Sequence, residues 1–481
     1  MPKNDPYATY DNPLVSRYAS REMAALFSPR RRIETWRRLW LALAEGEHEL
    51  GLPVSSAQVA DLKAHLTDID FPLAEKFERE IRHDVMAHIH AYGQVAKKAA
   101  PIIHLGATSC FVTDNADLCL FREALHLLAG KLAACLFALA DFAEREREHP
   151  TLGFTHFQPA QPTTVGKRAT LWAQDFLLDL REIERLADHL PLRGAVGTTG
   201  TQASFLALFA GDHRKCEQLN RLVCQKMGFR HHLAVTGQTY TRKLDSQILA
   251  GLAGIGESAA KFATDLRLLA HRKEIEEPFE KKQVGSSAMA YKRNPMRSER
   301  ICSLARFLTI LPLNGLATQS GQWLERTLDD SANRRLTLPQ AFLAADAILE
   351  LVHNVTSGLV VYPRIIEKNL QAELPFLATE DILMAAVKAG GDRQKLHERI
   401  RIHSQAAARE VKTLGRPNDL VARIAADPAF ARVQGELDQI LDPRRYIGRA
   451  PQQVKQFIRQ EVAPLRRRYG AKGSIGDAVK V

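Results

Sequence analysis

Residues 285–295 combine the residue types that bind an anion and activate a hydroxyl group. The segment has a glycine, two adjacent hydroxyls and two cations, with little aliphatic bulk. Glycine permits close approach to a ligand, and cations attract negative charge. A helix predicted from Pro295 would add the positive field of its N-terminus. An anion site and a solvated loop beside a helix cap both remain open. The residues are Gly285, Ser286, Ser287, Lys292 and Arg293.

A histidine suited to proton transfer lies in a second segment, residues 153–162. His156 stands there among two prolines and two glutamines, which predict an irregular, polar segment between long helices. Histidine titrates near neutrality, so it can protonate a leaving nitrogen. A lone histidine is more often structural, and the residue by itself leaves both interpretations open.

A third polar segment contains Arg82, His83 and Asp84, with His88 further along. The polar face of a helix accounts for it equally well. Two histidines could bind zinc, but the sequence has neither an HExxH motif nor a cysteine partner for them. We therefore expect no metal.

The segment 326–335 favours a phosphorylated substrate. Arginines at 326, 334 and 335 together with Ser331 can bind a phosphate. A charged helix start capped by Asp330 or Ser331 is the alternative. Since no P-loop or dinucleotide glycine motif is present, we expect neither an ATP- nor an NAD-dependent reaction.

Long helical patterns must position these segments. They predict an all-α fold, and their broad apolar faces predict a bundle shared between subunits. The predicted division is an N-terminal domain at 1–108, a central long-helix domain at 109–361 and a C-terminal domain at 362–481, whose last ten residues are expected to fray. The helices are predicted at 32–50, 114–148, 164–190, 242–270, 295–311 and 338–356, and short strands at 234–236 and 359–361.

Composition limits the class of protein. The 481 residues carry a formal charge of +11, with 45% apolar and 25% charged residues. The basic residues are dispersed without interleaved aromatics, which argues against nucleic-acid binding. Six cysteines without metal spacing suit a reducing cytosol. We identify no apolar signal core and no run of transmembrane length, and predict a cytoplasmic protein without membrane contact.

Residues 285–306 resemble the signature loop of the fumarase/aspartase superfamily, and the adenylosuccinate lyases within it most of all. That family usually has SSAMPYKRNPMRSER where this chain has SSAMAYKRNPMRSER. Ala290 replaces the usual proline, which widens the conformational range of the loop but removes no reactive group. The resemblance extends from Ser16 to Ala450. It implies three helical domains, a homotetramer with each active site built from three subunits, and no cofactor.

The resemblance also implies roles for residues. Ser286 would take a proton from the succinyl β-carbon, Lys292 would stabilise the carbanion, and His156 would protonate the departing nitrogen. From the residues alone Ser287 is nearly as good a base as Ser286. His83 would assist near the phosphate or the acid. The implied substrate contacts are Arg17, Tyr18, Arg82, His83, Asp84, Thr108, Ser109, Gln238, Arg300, Arg326, Ser331 and Arg335.

The implied reaction is the release of fumarate from adenylosuccinate, giving AMP, and from the succinylated aminoimidazole carboxamide ribotide of purine synthesis (SAICAR), giving AICAR. Three alternatives remain. Another fumarate-releasing lyase, such as an argininosuccinate lyase, has less use for the arginines of 326–335. A catalytically silent helical protein has no need of Ser286, Lys292 and His156. A basic helical nucleic-acid binder would show salt-dependent binding.

Overall fold

The computed structural model describes residues 8–470 and residue 475, and helices dominate this part of the chain. The prediction of an all-α fold is confirmed. The predicted fraying of 472–481 falls outside the described residues, apart from Ile475. The α-helices are α1 Arg21–Leu26, α2 Pro29–Glu49, α3 Ser56–Ala64, α4 Phe71–Ile81, α5 Asp84–Val95, α6 Ser109–Arg145, α7 Val165–His189, α8 Ala203–Leu208, α9 His213–Lys226, α10 Lys243–His271, α11 Met296–Ile310, α12 Pro312–Ser320, α13 Asp330–Ser357, α14 Pro363–Leu377, α15 Thr379–Lys388, α16 Arg393–Leu414, α17 Leu420–Ala426, α18 Leu437–Ile440, α19 Ala450–Phe457 and α20 Ala463–Tyr469.

The long helices α2, α6, α7, α10 and α13 share one hydrophobic core. Helix α6 has 37 residues, so it extends about 55 Å at the helical rise. Its alanine and leucine side chains are buried against α7 and α13. A second, smaller core lies between Ala378 and Ile440. The domain boundaries at 108 and 361 stay predictions.

Helix starts follow the local sequence. Ser28 caps α2 by accepting from the Arg31 amide at 3.2 Å, and Pro29 follows at the first helical position. Thr164 caps α7 by accepting from the Lys167 amide at 3.0 Å. Helix α13 begins at Asp330, eight residues before the predicted start at 338, because Pro339 is accommodated inside the helix.

Two predictions about strands need correction. Residues 150–164 form a hairpin of β1 (Pro150–Thr155) and β2 (Gln158–Thr164), not an irregular segment. The two prolines of β2 concealed it, because proline is normally confined to strand edges. Residues 234–236 form no strand. The strand predicted at 359–361 is confirmed: β4 (Val360–Val361) pairs with β3 (Ile275–Glu276).

The prediction that no apolar run reaches membrane-spanning length is also wrong. Three helical stretches are long and apolar enough by length and composition: Ser109–Arg145, Met296–Ser320 and Asp330–Ser357. In the first and third, 67% and 78% of the most apolar window is buried inside the protein. In the second, only 28% is buried. This stretch therefore leaves much apolar surface uncovered by its own chain.

Candidate active site

A cavity of about 550 Å³ lies where the starts of α5, α6 and α13 meet α2. It brings together segments that are far apart in the sequence. Eight of the predicted substrate residues line it: Arg82, His83, Asp84, Ser109, Gln238, Arg326, Ser331 and Arg335.

His83 is held at both ring nitrogens. It is the N-cap of α5, where Nδ1 accepts from the Met86 amide at 3.3 Å. Its Nε2 lies 3.3 Å from the Ser109 hydroxyl in the first turn of α6. Because Nδ1 accepts, the neutral ring carries its proton on Nε2, toward Ser109. Arg82 ends α4 in the left-handed region at φ 57°, which turns the chain into this cap.

The loop before α6 is fixed by a second histidine. The Trp40 indole donates to His104 Nδ1 at 2.9 Å, and His104 adopts a φ of 73°. Burial, with the nearby His83, lowers the pKa of His104 to about 4, so this ring is neutral at physiological pH. Thr108 precedes α6, but its side chain makes no capping bond and its buried hydroxyl has no partner within the described residues. The Thr108 side chain therefore does not cap α6.

The cavity floor is a buried network of ion pairs between arginines and aspartates. Arg242 reaches Asp330 at 2.7 Å and Asp114 at 3.1 Å. Arg334 reaches Asp245 at 2.7 Å. Burial by itself would raise the pKa of Asp114, but Arg242 and Arg334 hold it below its usual value. These ion pairs fix the first turns of α13, because Asp330 and Arg334 belong to it.

The cavity is also lined by three residues that were not predicted from the sequence as site residues: Asp114, Arg242 and Asp330. The sequence contained a usable signal for these residues, because each is a charged side chain within or beside an apolar helical run. Such side chains are rarely buried without partners, so a buried ion pair could have been predicted. Pairing Asp114 with Arg242 across 128 positions requires the fold, however.

Of the three arginines predicted to bind a phosphate, Arg334 is held in ion pairs with Asp117 and Asp245. The other two, Arg326 and Arg335, differ in their surroundings. The Arg335 guanidinium lies 3.6 Å from the carboxylate of Asp84, the first residue of α5. Arg326 donates to the Cys110 thiol at 2.7 Å, and within the described chain it has no carboxylate at ion-pair distance. A neutral thiol leaves the charge of Arg326 largely uncompensated, as an anion site requires.

The signature loop forms its own compact structure. The Ser286 hydroxyl accepts from the amides of Ala288 at 3.3 Å and Met289 at 3.1 Å. Asn294 donates to the Gly285 carbonyl at 2.9 Å. A Cβ at Gly285 would lie 2.2 Å from the Lys292 carbonyl, so only glycine fits there.

The α11 N-terminus, whose positive field was predicted to support an anion at this loop, binds a carboxylate of its own chain. The amides of Arg297 and Ser298 donate to the carboxylate of Glu277 at 3.0 and 2.9 Å. The helix start is thus already neutralised by Glu277. Ser286 instead receives hydrogen bonds from amides of its own loop.

The remaining predicted residues lie outside the cavity lining. Tyr18 ends a π-helical turn, Leu14–Tyr18, which also carries Arg17, and the Arg300 guanidinium lies 5.5 Å from the Tyr18 ring centroid. His156 occupies the exposed tip of the β1–β2 hairpin, at φ 52°. Neither His156 nor Ser286 nor Lys292 lines the cavity of its own chain.

Comparison with characterised proteins decides the family. The chain is 55% identical over 460 residues to the adenylosuccinate lyase of Schizosaccharomyces pombe, and the match covers 95% of both chains. It is 54% identical to that of Saccharomyces cerevisiae, again over 95% of both. The chain belongs to the adenylosuccinate lyase family. It is also 50% identical, over 97% of both chains, to the adenylosuccinate lyase of Schistosoma mansoni.

Two family models divide the match along the chain. Residues 53–307 match the model described as "Lyase", and residues 375–457 match "Adenylosuccinate lyase C-terminus". The fold extends beyond the adenylosuccinate lyase family. A 3-carboxy-cis,cis-muconate lactonizing enzyme from Pseudomonas putida superposes with a TM-score of 0.80 at 21% identity, covering 95% of this chain and 99% of that one. A fumarate lyase from Mesorhizobium sp. BNC1 has a TM-score of 0.78 at 22% identity, covering 94% and 100%.

Proposed function

We propose that this protein cleaves adenylosuccinate to AMP and fumarate, and SAICAR to AICAR and fumarate. The observation that carries the proposal is the cavity in which Arg326, Ser331 and Arg335 lie beside His83 and Ser109. Cations and a hydroxyl at one wall suit a phosphate, and further hydroxyl and imidazole groups suit a carboxylate. Full-length similarity to adenylosuccinate lyases supports the same substrate.

Ser286 is the proposed base. A serine hydroxyl is too weak an acid to ionise unaided at neutral pH. Two backbone amides already donate to its oxygen, and the same bonds would strengthen as negative charge develops there. Lys292, on the same loop, is the proposed stabiliser of the carbanion and its adjacent carboxylate. These two amide bonds favour Ser286 over Ser287.

His156 is the proposed acid for the departing nitrogen. The hairpin tip exposes it to an approaching substrate or subunit. Since elimination only moves a proton and breaks a carbon–nitrogen bond, one base, one acid and cations for the dicarboxylate suffice. The proposed reaction uses neither a metal nor an organic cofactor.

We further propose a homotetramer whose active sites combine residues from three subunits. His156, Ser286 and Lys292 lie away from the cavity of their own chain, which supports a site that another copy completes. The stretch from α11 to α12 exposes apolar side chains that a partner would cover: Ile310 is 56%, Leu313 63% and Leu316 52% exposed. With this stretch buried between subunits, the protein would act in the cytoplasm on small molecules, without membrane or nucleic-acid partners.

A direct assay tests the function. Purified protein is mixed with adenylosuccinate, and ultraviolet absorbance and fumarate are followed together. We expect equimolar AMP and fumarate. Argininosuccinate is the matched alternative substrate. Fumarate released only from argininosuccinate, or from neither compound, would overturn the proposal.

A further inference from the structure

A cluster of three charged residues is buried between α6 and α13. Lys131 on α6 lies 2.5 Å from Asp346 and 2.5 Å from Glu350, both on α13. The side chains of Lys131, Asp346 and Glu350 are 7%, 0% and 9% exposed. Removing three charges from water is costly, and apolar side chains would serve stability as well or better. The cluster therefore suggests a role in positioning.

Asp346 also binds a segment outside the bundle. Its Oδ2 accepts from the Ser20 amide at 2.7 Å, and its Oδ1 accepts from the Ser20 hydroxyl at 3.2 Å. The Ser20 hydroxyl in turn accepts from the Met23 amide at 3.2 Å and caps α1. Asp346 thus fixes both the backbone and the side chain of residue 20.

Residue 20 follows the turn that carries Arg17 and Tyr18 in the chain and is separated from it only by Ala19. Tyr18 is two residues away, so its Cα lies within about 7 Å of that of Ser20. Arg17 and Tyr18 belong to the turn Leu14–Tyr18, and the Tyr18 ring faces Arg300. The turn packs against α13, the helix that also presents Ser331 and Arg335 to the cavity. Helix α13 therefore connects the cavity wall to the Arg17–Tyr18 turn through Asp346.

We propose that Asp346, itself oriented by Lys131, is a positioning residue that holds the Arg17–Tyr18 turn in place for the phosphorylated substrate. The turn lies outside the cavity of its own chain and would contact substrate in the proposed site shared between subunits. This inference rests on the proposed function. In the proposed role Asp346 itself contacts no substrate. Lys131 orients its carboxylate, and Ser20 transmits the constraint to the turn.

The test compares Asp346→Asn with Asp427→Asn. Asp427 is a matched control because it is a buried aspartate that caps a helical turn and pairs with Arg399 and His403, but it lies in the smaller C-terminal core. We expect Asp346→Asn to raise both the KM for adenylosuccinate and the inhibition constant of AMP about fivefold to tenfold, with kcat within about twofold of the parent. Asp427→Asn should leave all three constants near parental values.

A double-mutant cycle separates positioning from general damage. In a Tyr18→Ala background, Asp346→Asn should add little further loss of affinity, because both changes act through the same turn. Ser20→Ala should raise KM about twofold to threefold, and Ser20→Thr, which keeps the hydroxyl, should restore it. If Asp346→Asn does not fold, the KM values of Ser20→Ala and Ser20→Thr test the positioning role by themselves.

Two results would overturn the positioning role alone: an active parent whose affinity Asp346→Asn leaves unchanged, or KM effects of Asp346→Asn and Tyr18→Ala that multiply independently. If the parent releases no fumarate from adenylosuccinate, the proposed function falls, and this inference falls with it.

Discussion

The Ser109 hydroxyl lies 3.3 Å from His83 Nε2, although 26 positions separate the two residues in the chain. The contact joins the first turn of the longest helix to the N-cap of α5. It orients the imidazole toward the cavity wall that also contains Arg326 and Arg335. The cavity groups proposed to bind substrate are therefore preassembled within one chain, whereas the proposed base and acid lie elsewhere on it.

Ser286→Ala should abolish turnover while leaving substrate affinity nearly unchanged. The reason is that the base contributes in the transition state rather than in the bound ground state. Single-turnover kinetics combined with direct binding of adenylosuccinate would measure both quantities. Ser287→Ala is the paired control and should stay active. If Ser287→Ala is dead and Ser286→Ala works near the parent rate, the base is the neighbouring serine.

Arg326→Ala and Arg335→Ala should mainly weaken substrate binding. A lost charge-assisted contact is worth about 1.5–3 kcal/mol, which corresponds to a rise in KM of roughly tenfold to a hundredfold. The control is Arg364→Ala, since Arg364 is 92% exposed and, among the residues that the structure describes, pairs with the nearby Glu367. Parental affinity in both cavity variants would show that the phosphate binds elsewhere.

Inactive Ser286→Ala and inactive His156→Ala proteins should regain partial activity when they are dissociated, mixed and reassembled. In the proposed shared site the two residues come from different chains, so some mixed tetramers would contain a site with both groups intact. Each variant reassembled alone is the control. Verified mixed tetramers without activity would assign both residues to the site of one chain or show that one role is wrong.

Glu47→Gln should stabilise the protein increasingly as pH rises from 5 to 8. Glu47 is fully buried, neither carboxylate oxygen has a partner in the described chain, and burial raises its pKa from 4.5 to about 9. Between these values the unfolded state loses the proton that the folded state keeps. The free energy of unfolding therefore falls by about 1.4 kcal/mol per pH unit, and glutamine removes that dependence.

Melting temperatures of parent and variant at several pH values would measure this effect. Glu45→Gln provides the comparison, because Glu45 lies on the same helix but pairs with Lys226 at 3.1 Å. If the difference in melting temperature between Glu47→Gln and the parent stays constant with pH, Glu47 is not a buried neutral acid.

The sequence by itself determined the long helices, because their apolar periodicity is local and dense. Five of the six predicted helices agree with α2, α6, α7, α10 and α11 to within a few residues, and the sixth, 338–356, corresponds to most of α13. It also identified the loop at 285–295, since glycine, hydroxyls and cations there have no use in a core. The hairpin at 150–164 was missed, because the prolines of β2 oppose the strand propensity on which such predictions depend.

Only the tertiary structure decided which polar groups meet. The pairs Asp114–Arg242, Ser109–His83 and Asp346–Ser20 join residues far apart in the chain, and no local pattern specifies such partners. The same holds for Glu277, which occupies the helix start that was predicted to support an anion at the loop. Helices arise from interactions between residues three and four positions apart, whereas these sites arise from packing of whole helices, and that packing fixes which charges must be paired once water is excluded.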